Sequence, residues 1–90
     1  MKHKKNKERV YDKASRLALL CLYRNDNCTL TNVGKITDLT HSHVIQVLYN
    51  LKSLRYVEIT DKIGRHKIVT LTKKGLKLAM LYEQIEEVVG

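Results

Sequence analysis

The stretch Leu30-Thr31-Asn32-Val33-Gly34-Lys35-Ile36-Thr37-Asp38-Leu39-Thr40-His41-Ser42-His43-Val44-Ile45-Gln46-Val47-Leu48 decides the reading of the chain. It holds two short apolar rhythms around a break. Thr31 to Thr37 reads as a short helix with Val33 and Ile36 turned inward. Gly34 is the small residue that lets two helices cross closely. Asp38 sits at the break, where glycine is usual, because aspartate tolerates left-handed backbone. Leu39 fills the space beneath the turn. Thr40 then opens a second helix as its N-cap, running to about Ser53. Val44, Val47, Leu48 and Leu51 follow steps of three and four and form its buried side. Removing them leaves His41, Ser42, His43, Gln46, Tyr49 and Asn50 facing outward. Residues 41–50 carry no charge at all. A merely solvated helix face more often carries lysine and glutamate.

Upstream, Val10, Ala14, Leu17, Ala18 and Cys21 repeat at helical spacing, and Leu20 and Leu22 widen that face. Asn25, Asp26 and Asn27 stop the helix, since their side chains compete for backbone hydrogen bonds. Thr29 to Thr31 either pairs briefly as a strand or caps the next helix. Residues 1–9 hold five cations and one acid and read as a basic arm, separate from a single domain over residues 10–90. Downstream the period changes to two. Tyr56 to Thr60 and Lys67 to Leu71 read as strands, joined by Asp61-Lys62-Ile63-Gly64-Arg65-His66 with glycine supplying the turn. A last helix spans about residues 73–89. Its Leu78, Leu81, Ile85 and Val88 begin a coiled-coil seam, with Ala79 and Tyr82 on an adjacent stripe.

Ninety residues make one domain. Seventeen lysines and arginines against nine acids give a net charge of +8, which points to a polyanionic partner. The longest apolar run, Leu17 to Tyr23, is seven residues, too short to cross a membrane. A charged N-terminus without an apolar signal core gives a cytoplasmic expectation. Cys21 and Cys28 lack the paired spacing of a zinc site, and His41 and His43 are two apart on a helix, so no metal and no cofactor is expected. Two free thiols or a disulfide both fit the cysteines. With no phosphate loop, no metal-ligand set and no nucleophile beside a base, an enzyme is not expected.

The order helix, helix, turn, helix, strand, wing, strand, helix is that of a winged helix-turn-helix: α+β, mostly helical, with a three-helix core, a two-stranded wing and a C-terminal helix. Residues 30–48 resemble the helix-turn-helix core of bacterial and archaeal repressors. Leu71-Thr72-Lys73-Lys74-Gly75 closing the wing resembles the multiple-antibiotic-resistance regulator family and its small archaeal and viral relatives. Asp61 and Arg65 supply part of that family's aspartate–arginine wing pattern. The resemblance runs from about Ala14 to Leu81.

It implies a sequence-specific regulator of transcription, a repressor in the resembled motif, with double-stranded DNA as partner. An α-helix fits the major groove, where base edges differ. His41, Ser42, His43, Gln46, Tyr49 and Asn50 are the expected base-reading residues. Thr31, Lys35, Thr40, Lys52, Arg55, Lys62, Arg65, His66 and Lys67 are the expected phosphate and wing contacts. Leu78, Leu81, Tyr82, Ile85 and Val88 are the expected contact of a homodimer, which would set two reading helices about one DNA turn apart. Two other readings remain open on the residues: a winged-helix module that docks to a protein through Ile45 and Tyr49, and a nonspecific architectural nucleic-acid binder.

Overall fold

The computed structural model describes residues 10–61 and 66–90. The expected basic arm, Lys62 and Arg65 lie outside the described residues. Within the described residues four helices pack with a small sheet: α1 (Lys13–Arg24), β1 (Cys28–Thr29), α2 (Leu30–Thr37), α3 (His41–Ser53), β2 (Val57–Asp61), β3 (Lys67–Leu71) and α4 (Lys73–Val89). The sheet order is β1-β3-β2, antiparallel throughout, with Ile59 opposite Val69 and Cys28 opposite the same Val69 on the other side. The expected two strands of the wing, β2 and β3, pair, and β1 extends them to a three-stranded sheet.

Thr29 resolves the two options left open at this point, because it does both jobs. Its backbone pairs with Ile68 in the sheet. Its hydroxyl accepts from the Asn32 amide at 3.1 Å, while Asn32 Oδ1 accepts from the Thr29 amide at 3.2 Å. This reciprocal capping box fixes the start of α2 directly onto the sheet edge.

The turn after α2 agrees with the sequence reading. Asp38 sits in left-handed backbone (φ 62, ψ 33), and the amides of Asp38 and Leu39 both donate to the Gly34 carbonyl. Thr40 caps α3 through its hydroxyl, 3.3 Å from the His43 amide. The far end of α3 closes with a second left-handed residue, Arg55 (φ 69). The Arg55 amide donates to the Lys52 carbonyl and the Tyr56 amide to the Leu51 carbonyl, both at 2.9 Å. This is the paired closure that usually carries glycine at Arg55's position. Arginine there costs about 1 kcal/mol.

The core is continuous. Leu19, Val33, Val44, Leu48, Leu51, Val57 and Val69 are all but inaccessible. Each buried aliphatic side chain contributes about 1.5–3 kcal/mol relative to exposure. Two expectations about facing need correcting, one in α1 and one in α2. Leu19, not Leu17, is the deepest leucine of α1, because that helix is covered on more than one side and Leu17 is half-buried. Ile36 is 54% exposed, since α2 is only eight residues long and meets the core through Val33, with Leu30 packed at its edge. In α4, Ala79 and Tyr82 enter the core, which takes Tyr82 out of the expected contact between copies, while Leu81, Ile85 and Val88 are exposed and Leu78 is half-buried.

Polar contacts tie α4 to α1 and to the residues just before it. The Tyr82 hydroxyl donates to the Val10 carbonyl at 2.6 Å in a buried position. The Arg24 guanidinium reaches Glu83 at 2.8 Å and Glu86 at 3.2 Å at the surface. Exposed ion pairs of that kind contribute little, about 0.5 kcal/mol.

Candidate nucleic-acid interface

Successive side chains on α3 turn by about 100°. Val44, Val47, Leu48 and Leu51 take one arc into the core. The opposite arc carries Ser42, Gln46 and Tyr49, all exposed. His41 and His43 flank it, also exposed, while Asn50 is half-buried. The face is therefore as polar and as uncharged as the sequence predicts, but it has two distinct shoulders.

On one shoulder, His43, Gln46 and Asn50 border a small polar cleft with Asp12 and Ser15 of the α1 start. Asp12 accepts from the Ser15 amide at 3.0 Å and caps α1 there. On the other shoulder, His41, Ile45 and Tyr49 form one wall of a groove whose opposite wall is Thr31 of α2 with His66 and Lys67 at the wing base. The structure thus brings His41, Tyr49, Thr31, His66 and Lys67 into one concave surface. Lys52 and Arg55 stand apart, at the C-terminal end of α3, in a separate groove beside β2 with Lys73 and Lys74. Lys35 is exposed on α2. The Thr40 hydroxyl is engaged as the α3 cap.

Several of these neighbours were not in the sequence reading. Asp12 and Ser15 belong to the start of α1, far from α3 along the chain, and nothing in the local pattern links them. Lys73 and Lys74 are not among the expected contacts, although a lysine pair directly after a strand is itself a signal of charge at a strand–helix junction. Of the residues expected between two copies, Tyr82 is spent within the chain (8% exposed), whereas Leu81, Ile85 and Val88 face outward.

The cysteines are chemically quiet. Both are free and buried. Burial, with Cys28 adjacent, pushes the Cys21 thiol up to about 12, and burial raises Cys28 as well. Neither is a thiolate near neutral pH. Among the described residues no group of histidine, cysteine and acid side chains could hold a metal ion. No described helix is long and apolar enough to cross a membrane.

No protein-family model matches the chain. No curated protein matches it in sequence. The likeness to solved structures is strong. AF1382 from Archaeoglobus fulgidus superposes with a TM-score of 0.77 at 25% identity over 91% of this chain and 97% of that one. MepR, a transcription regulator of the Staphylococcus aureus multidrug efflux pump MepA, superposes at 0.75 with 21% identity, covering 96% of this chain and 71% of that one. Its DNA complex gives 0.74 at 20% identity over the same shares. The MarR family transcriptional regulator SPO1453 from Silicibacter pomeroyi gives 0.79 at 20% identity, covering 96% of this chain and 62% of that one. The fold of this chain is the winged helix-turn-helix of the MarR-family (multiple-antibiotic-resistance) regulators.

Proposed function

We propose that the chain is a sequence-specific, double-stranded-DNA-binding regulator of transcription rather than an enzyme, with α3 in the major groove and the wing, about residues 61–67, on the minor groove or the backbone. The observation that carries this reading is the exposed, uncharged arc of α3, bordered by a groove that ends in His66 and Lys67. Gln46 at the centre of that arc has an amide that can pair with adenine. The net charge of +8 supplies the long-range attraction to phosphate. The DNA complex of MepR, a protein of the same fold, supports the reading by analogy.

The regulator acts as a homodimer through α4. Leu81, Ile85 and Val88 lie exposed along one face of a seventeen-residue helix, a stripe that a second copy would cover. It works without a cofactor, in the cytoplasm.

A mobility-shift series across salt, with competitor DNA, tests the proposal. A specific regulator keeps its preferred duplex above random DNA at every salt concentration. An architectural binder loses all sequences together, by about 0.9 in log affinity per log salt for each neutralised phosphate. A module that docks to protein through Ile45 and Tyr49 shows no duplex preference at any salt.

A further inference from the structure

We propose that the open edge of β2 is a docking site for an extended acidic segment of a partner protein, which adds to the sheet as a fourth strand. β2 is an edge strand, because the sheet order is β1-β3-β2. The Thr72 amide donates to the Tyr56 carbonyl at 3.1 Å, which makes Tyr56 and Thr72 a hydrogen-bonded pair. Hydrogen-bonded and non-hydrogen-bonded pairs alternate along an antiparallel ladder. With Val57 opposite Leu71 and Ile59 opposite Val69, the backbone groups of Val57 and Ile59 therefore point away from β3, toward the open edge.

A groove runs along this edge. Its rim carries Lys52 and Arg55 from the end of α3 and Lys73 and Lys74 from the start of α4, all exposed. Glu58 is the single acid among them. Lys74 is already engaged, donating to the Leu54 carbonyl at 3.0 Å and lying 4.4 Å over the Tyr56 ring. Among the described residues no ion pair occupies Lys52, Arg55 or Lys73. Arg55 keeps a cation here despite its left-handed backbone, at a position where glycine is the easy choice.

Two features select the occupant, the backbone groups of the edge and the cations beside it. The edge offers both amide donors and carbonyl acceptors, and a peptide answers both, whereas the deoxyribose–phosphate backbone of DNA supplies only acceptors to face those carbonyls. The cations require the incoming segment to be acidic. They also repel the same edge of a second copy, which excludes self-pairing.

The test uses the full-length, isotope-labelled chain titrated at low salt with an acetylated, amidated octapeptide of alternating glutamate and valine. The expected result is a saturable change in the amide resonances of Val57 and Ile59, with those of Ser42 and Gln46 unmoved. Lys73→Glu, an exposed substitution that leaves the rest of the spectrum in place, should weaken binding roughly tenfold. An octapeptide of alternating lysine and valine should not bind. The proposal is overturned if Val57 and Ile59 do not move, if the lysine peptide binds equally well, or if Lys73→Glu has no effect. A short random-sequence duplex that moves the same two amides and displaces the peptide would overturn it too, by assigning the groove to nucleic acid.

Discussion

Gly75 lies directly against the Tyr56 carbonyl, so closely that a methyl group at Gly75 would overlap the carbonyl oxygen and sit 3.2 Å from Leu71 Cδ2. The glycine of Leu71-Thr72-Lys73-Lys74-Gly75 is thus a packing requirement: it lets the first turn of α4 rest on the main chain that leaves α3. Thr72 completes the joint, donating to the Arg55 carbonyl at 2.7 Å and accepting from the Gly75 amide at 3.0 Å. Gly75→Ala should destabilise the chain by about 3 kcal/mol, since backbone and not a flexible side chain must move. Gly34→Ala is the control. There a methyl would sit 3.4 Å from both the Leu39 carbonyl oxygen and Val44 Cγ2, and the loss should stay below that of Gly75→Ala. Chemical denaturation of the two variants measures the difference, and equal losses would refute this picture of the joint.

Tyr82→Phe removes the hydroxyl that donates to the Val10 carbonyl at 2.6 Å in a buried position. The expected cost is about 1–2 kcal/mol, because a buried acceptor is left unmade. The same substitution should leave the oligomeric state unchanged, since Tyr82 holds α4 to Val10, just before α1, inside one chain. Denaturation with light scattering on the variant checks both halves.

Leu81→Glu with Ile85→Glu places two charges on the exposed face of α4. These side chains are 53% and 54% exposed in the single chain, so folding should survive. Light scattering should give twice the 10.5 kDa chain mass for the parent and the single mass for the variant. A parent that runs as a clean monomer at micromolar concentration would end the dimer proposal.

Alkaline stability depends on the buried thiol. Cys21 has an ordinary value of 9.0 and is pushed up to about 12 in the folded chain, so the folded state holds its proton more tightly than the unfolded state. Its contribution is complete below pH 9 and is lost as the pH rises from 9.0 toward about 12. Tyr82, raised from 10.0 by burial, acts in the same direction. Denaturation midpoints should therefore fall steadily above pH 9, and Cys21→Ala should flatten the decline. A midpoint that holds constant to about pH 11 would contradict the burial of both groups.

Much of the fold was legible in residues alone, for reasons that differ by element. The limits of α3 came from Thr40 at one end and from the run Val44, Val47, Leu48, Leu51, because a cap and a three-four rhythm are local properties. The strands came from the change of period. Whether Ile36 or Val33 enters the core, or whether Ala79 and Tyr82 or Leu81 and Ile85 do, depends on what each helix meets. Adjacent apolar stripes on one helix look alike until a partner chooses between them. The same holds for the site. The uncharged face at 41–50 was visible as composition, while its grouping with Thr31, His66 and Lys67, and the separate groove of Lys52, Arg55 and Lys73, exist only once β1 is paired with β3 and α4 is seated on Tyr56.

Base reading by the outer arc of α3 is the proposition on which the functional proposal stands. Its sharpest test is selection of bound duplexes from a random pool, run in parallel with the parent chain and Gln46→Ala. The expected outcome is one enriched inverted repeat for the parent and a pool relaxed at one position per half-site for the variant, a loss of about 1–3 kcal/mol of discrimination there. A parent pool with no enriched motif, or an identical motif from both proteins, would contradict it.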